Sequence, residues 1–236
     1  MKKLKVGLAC VLTMLLVGCI SPKSYLDPTQ PKLTYNDIKK TQAPVPLKLT
    51  TIFLRNGEPY PRANPTLLDN SSRILRATGI IDPDGSNSVG TITVTVNNVA
   101  DTAAAAGKGF GTGLTLGLVG STVSDNYELT MAISINNKTI SKSGIQNGIY
   151  TAIGNTSIPA GAEPLTASLA FQKVLEQMIL KALKEIQLDY NIPTATEITL
   201  AGNTKQKLQE LQGLRKEGLI NEKDFQDRKK ILLKEL

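Results

Sequence analysis

Two thiols and no imidazole limit the chemistry this chain can attempt. Cysteine occurs only as Cys10 and Cys19, and histidine is absent altogether. Cys10 falls inside an apolar run from Val6 to Leu16, so Cys19 is the single thiol outside it. One remaining cysteine forms no internal disulfide, and without histidine there is neither an imidazole base nor a His/Cys metal site. Most hydrolytic and redox mechanisms lose their usual groups. A Ser–Lys dyad or a carboxylate pair would still be possible, but no motif for either stands in the sequence. Asp82-Pro83-Asp84-Gly85-Ser86 places oxygen ligands at alternating positions, a faint calcium-loop pattern. No Glu closes that loop at the required distance, and a plain turn is the favoured reading.

The elements around Cys19 explain what its thiol is for. Lys2, Lys3 and Lys5 precede the apolar run, and Leu16-Val17-Gly18-Cys19 follows it. A basic segment, an apolar segment too short to span a bilayer and small residues at a cut point make a secretory signal over 1–18. Leu16-Val17-Gly18-Cys19 resembles the lipobox of bacterial lipoproteins. The resemblance implies cleavage between Gly18 and Cys19, a diacylglycerol on the Cys19 thiol and an acylated amine, with palmitate among the acyl chains. Two or more chains hold a protein on a membrane where one is marginal. Ile20 is not Asp, which in the enterobacterial type of sorting implies the outer membrane, with the domain in the periplasm. The only cofactor-like group expected is that lipid.

Beyond the signal, residues 19–46 are rich in Pro, Lys, Thr and Gln and read as a flexible linker. A folded domain is expected over 47–188. Its core must be aliphatic, since aromatic residues make up 4% of the chain and Trp is absent. Leu47 to Leu54 reads as a strand closed by Asn56-Gly57. Asn64-Pro65 starts a helix with Asn as cap; Leu67, Leu68, Ile74 and Leu75 form its face, and Gly79 ends it. Ile92, Val94 and Val96 alternate with threonines, and Tyr127, Leu129, Met131, Ile133 and Ile135 alternate likewise. Asn136-Asn137 turns the chain into a further strand from Lys138 to Tyr150, interrupted by Gly144 and Gly148. A helix from about Thr166 to Gln187 carries the stripe Phe171, Val174, Leu175, Met178, Ala182 and Ile186. The expected fold is α+β: an antiparallel sheet with two packing helices in the order β-α-β-β-β-α. That order is similar to the periplasmic domains of penicillin-binding-protein activator and curli secretion lipoproteins, a likeness of fold only.

A second linker is expected over 189–203, then a helical hairpin over 204–236. Leu208, Leu211 and Leu214 line its first helix and Gly218 stops it. Asn221 caps the second, with Ile220 and Phe225 at the two staple positions and Leu232 continuing the face. Leu208-Gln209-Glu210-Leu211, Gly218 to Phe225 and Lys230-Ile231-Leu232-Leu233 together resemble the SHOCT family of short C-terminal domains, with Asn221 where Thr or Ser is usual. From Lys205 onward the chain has nine Lys/Arg and six Asp/Glu. Lipid head groups or an identical tail suit that surplus better than nucleic acid does in this compartment.

Residues 103–123 are glycine-rich. Gly109, Gly113 and Gly117 make a double G-x-x-x-G, which in a helix lets two backbones meet. At period two the same stretch puts Phe110, Leu114, Leu116 and Leu118 on one side, as in a membrane-facing strand. A structural connection between strands is the third reading. The expected function is that of a non-enzymatic outer-membrane lipoprotein that binds lipid through Cys19 and proteins, or copies of itself, through the tail. No small-molecule substrate is indicated. The alternative is a subunit of an oligomeric pore or secretion assembly using 103–135 as a membrane hairpin.

Overall fold

Alternating residues of contrasting polarity build the sheet, and the order of elements sets its directions. The computed structural model describes residues 22–41, 43–84, 87–99, 120–136, 138–190, 192 and 195–234. Among the described residues there are seven strands: β1 (Lys23–Tyr25), β2 (Val45–Arg55), β3 (Glu58–Pro59), β4 (Ile81–Asp82), β5 (Gly90–Val99), β6 (Ser121–Ile135) and β7 (Lys138–Ile153). Four helices accompany them: α1 (Asn64–Thr78), α2 (Ala167–Asp189), α3 (Ala195–Lys216) and α4 (Glu222–Leu233). The fold is α+β with one open mixed sheet, ordered β1-β7-β6-β5-β2-β3, and β4 pairs with β2 beside that path.

The sheet is mixed, where the sequence pattern predicts an antiparallel one. β5 runs antiparallel to β6, but β2 pairs with β5 in parallel from Leu47↔Gly90 to Arg55↔Asn98, and with β4 in parallel as well. The reason is α1. It carries the chain from the end of β2 back to its beginning, and a strand–helix–strand crossover leaves neighbouring strands parallel.

The chain divides into two compact units. The larger holds residues 31–99, 126–147 and 172–234 among those described. Its core is the inward row of β5 and β6 (Ile92, Val94, Val96, Leu129, Met131, Ile133), all essentially inaccessible to water. Each such aliphatic side chain contributes about 1.5–3 kcal/mol through burial. The opposite row, Thr91, Thr93 and Thr95 beside Ser134, Ala132 and Thr130, is half-buried or exposed. α1 packs against β2, burying Leu67, Ile74 and Leu75, while Leu68 stays 43% exposed. The N-cap of α1 is Ala63; Asn64, expected in that role, instead accepts the Phe53 N–H at 2.7 Å and ties the helix start to β2. Gly79, at φ 72°, ends the helix in the left-handed conformation that glycine adopts at least cost. α2 buries Val174, Leu175, Met178, Ala182 and Ile186, and its end reaches β7 through an ion pair between Lys142 and Asp189.

β7 continues past both glycines expected to interrupt it. Gly144 has φ 71°, and the inward positions change parity there: Ile140 and Lys142 before it, Ile145 and Ile149 after it. A positive φ of this kind is one that glycine adopts at least cost, so Gly144 lets the strand run on.

The smaller unit holds residues 22–30, 120–125 and 148–171 among those described. β1 pairs antiparallel with the end of β7, Lys23↔Ala152 to Tyr25↔Tyr150, and Ser24 exchanges two backbone hydrogen bonds with Leu165 at 2.9 and 2.7 Å. The Tyr25 and Tyr150 rings stack 5.6 Å apart.

Candidate functional site

The C-terminal hairpin is the candidate interaction site, and its geometry follows from a few residues. Leucines at 208 and 211 recur at helical spacing, so one face of α3 turns toward α4. Gly218 reverses the chain at φ 72°, and the Leu219 N–H bonds back to Leu214 O at 2.9 Å. The Asn221 side chain accepts the Asp224 N–H at 2.9 Å and so caps α4, satisfying a donor the helix leaves over. Leu211 and Phe225 are 5% and 4% exposed and form the seam, with Leu208, Ile220 and Leu232 half-buried around it. Arg215 lies over the Phe225 ring at 4.8 Å and reaches Glu222 at 2.8 Å. One guanidinium thereby holds both helices.

Leu214, expected in the seam, is 38% exposed. Leu219 (66%), Ile231 (60%) and Leu233 (48%) also remain uncovered. The first helix does not begin near 204. It starts at Ala195, and Ile198 and Thr204 are buried in it, so most of the expected 189–203 linker is helix.

The expected linker over 19–46 is also largely built into the fold. Gln177 of α2 accepts the Leu33 N–H at 2.7 Å and donates to Leu33 O at 2.9 Å. Gln187 does the same for Lys39, at 3.0 and 2.7 Å. Each glutamine amide stands in for a neighbouring strand, offering one donor and one acceptor to one residue. Between them a short 3-10 turn, Tyr35–Asp37, is closed by a capping box with Thr34, and Ile38 is buried. The Asp37 carboxyl accepts from the Thr34 N–H and hydroxyl at 2.8 and 2.9 Å, and these bonds hold its pKa below the usual value. Lys184 adds a contact at 3.8 Å. Partial burial, with Glu176 alongside, pushes the Tyr35 phenol up to about 12. Sequence reasoning missed this strap because a glutamine on a helix reads as a solvated residue. The signal was a pair of them ten apart beside an apolar stripe.

Cys19 and Gly18 lie outside the described residues, as do Gly109, Gly113, Gly117, Leu114, Leu116 and Leu118. Residues 127–135, the second half of the expected membrane hairpin, are described. They pair with β5 throughout, and Leu129, Met131, Ile133 and Ile135 are in the core, so this run has no apolar face left for lipid. Asp82 and Asp84 make a turn: the Asp84 N–H bonds Asp82 Oδ1 at 3.2 Å, and the Asp84 carboxylate pairs with Arg76. Among the described residues no His/Cys/Asp/Glu cluster could hold a metal, and no helix is long and apolar enough to cross a membrane. No family model matches the chain, and no curated protein matches it.

Proposed function

We propose that this chain is a lipid-anchored envelope lipoprotein of the outer membrane, held by Cys19, that works by binding protein and not by catalysis. Its SHOCT-like tail is the contact element, joining a second copy or another envelope protein. The observation that carries this reading is the apolar rim of the hairpin. Leu211 and Phe225 satisfy the seam, yet Leu219, Ile231 and Leu233 stay in water, each forfeiting burial that a partner could supply. The resemblance of Leu16-Val17-Gly18-Cys19 to a lipobox supports the anchored part of that role.

The test uses the full-length lipidated protein in detergent. Ile231→Ser with Leu233→Ser is expected to leave the fold intact while lowering the mass by light scattering, or removing a crosslinked partner in cells. Unchanged mass together with unchanged crosslinks would overturn the tail assignment. Cys19→Ala is expected to abolish palmitate labelling; label retained in that variant would overturn the anchor.

A further inference from the structure

We infer that the smaller unit of this protein is held against the lipid surface itself, because the chain between the anchor and the first strand is too short to let it leave. The inference rests on the Cys19 reading above and deepens it.

A free linker from Cys19 to Leu47 would have a contour of roughly 90–100 Å at 3.3–3.6 Å per residue. That span would carry the domain well away from the membrane. β1, however, starts at Lys23 and is paired into the sheet at Ala152, so only four peptide steps separate Cys19 from folded structure. Four steps reach at most about 14 Å. Crossing one head-group layer takes about 5–7 Å of that. The Lys23–Ala152 pair therefore lies within about 10 Å of the head groups, whatever path the intervening residues take.

What holds β1 in place is specific. The three-residue ladder to β7, the paired backbone bonds of Ser24 to Leu165, the Ser24–Thr151 hydroxyl bond at 2.9 Å and the buried, stacked Tyr25 all act on it. The described part of this unit is sparsely charged. Among the described residues of this unit only Lys23, Asp27, Asp125 and Glu163 carry charge, and acids outnumber the base. Attraction to anionic lipid does not supply the apposition; the short tether does. It should therefore resist salt, unlike a contact between exposed charges.

The experiment uses the full-length lipidated protein with Asn155→Cys, an exposed position three residues beyond Ala152. With Cys19 acylated, the new thiol is the only one to label with a fluorescent donor. The protein is placed in phosphatidylethanolamine/phosphatidylglycerol vesicles carrying an energy acceptor on the head group. Strong transfer is expected, unchanged between low and high salt. A 40-residue Gly/Ser insertion between Ser21 and Pro22, adding about 35 Å of mean reach, should abolish most of it. Tyr25→Asp, which loosens β1 without lengthening the chain, should lower transfer part of the way. Palmitate labelling is followed in parallel. A labelled protein whose transfer ignores the insertion overturns the apposition while leaving the anchor standing. An unlabelled protein overturns the anchor, and the apposition falls with it.

Discussion

Replacing Gln177 with Leu isolates the force that turns an apparent linker into part of the fold. The Gln177 amide makes two hydrogen bonds to Leu33, 2.7 and 2.9 Å long, in a partly buried setting. At about 0.5–1.5 kcal/mol net for each, their joint loss weakens the strap by about 1–3 kcal/mol. Because 1.4 kcal/mol is a factor of ten, the open form of the strap should become roughly 5–150 times more populated. Trypsin cleavage after Lys32, Lys39 and Lys40 reports that population directly when reclosing is fast. Gln177→Glu keeps an acceptor for the Leu33 N–H but has no donor for Leu33 O, and should give an intermediate rate. Gln187→Leu should fall at the low end, since its bonds to Lys39 are exposed. The reasoning fails if cleavage is no faster in Gln177→Leu, or if sites within α2 and β7 are cut at the same increased rate. The second result would mean global unfolding, with no separate strap motion.

Phe225→Ala should melt the hairpin, since truncating a buried Phe costs about 3–5 kcal/mol, whereas Asn221→Ala removes one cap at about 1 kcal/mol; helicity and hydrogen exchange confined to 205–233 would rank them. Gly90→Ala should destabilise the larger unit by at least about 1–3 kcal/mol in urea unfolding, because a Cβ there would lie 2.2 Å from the Ser134 carbonyl oxygen. Equal stability to the parent would refute the close approach of β5 and β6. The strap should also be bracketed by pH. The fold favours neutral Tyr35, so that contribution is full below about pH 10, the ordinary tyrosine value, and is lost as pH rises through about 12. Asp37 is favoured as the anion, so its contribution is present above the ordinary carboxylate value and lost as pH falls through its lower folded value. Absorbance titration of the phenols should show a late transition that Tyr35→Phe removes, and the strap's backbone amides should lose hydrogen-exchange protection at strongly acid pH.

Strand and helix positions were legible wherever one face is dry and the other wet. The Ile/Thr alternation of β5, the five-residue row of β6 and the α2 stripe each announce a period, and each is where expected. Caps were legible when the residue type has one job: Gly79, Gly218 and Asn221 end or start helices as their chemistry requires. Asn64 was misread because an Asn oxygen serves a neighbouring strand as readily as its own helix. Strand direction is not legible from any single strand; the helix between β2 and β5 carries that information, and the antiparallel expectation did not take it into account. The start of α3 was hidden by Gly202, Asn203 and Thr204, poor helix formers whose cost is offset by burying Ile198, Thr204 and Leu211. The strap was hidden for another reason: its partners are amide groups over 140 residues away in sequence, which no local pattern shows.

Tension entering this protein at its N-terminus would be borne in series. A pull on Pro22 meets the three-residue β1 first, then the Gln177 grip on Leu33, then the Gln187 grip on Lys39, and only after those the buried start of β2 at Val45. Each fastening is modest, and each must give way before the next is loaded. The released chain adds slack at every stage; Ile38 leaves the core with the strap, and β2 is untouched until about 20 residues have peeled off at up to about 3.6 Å apiece. A load applied there would be spread over these fastenings in turn before it reached β2.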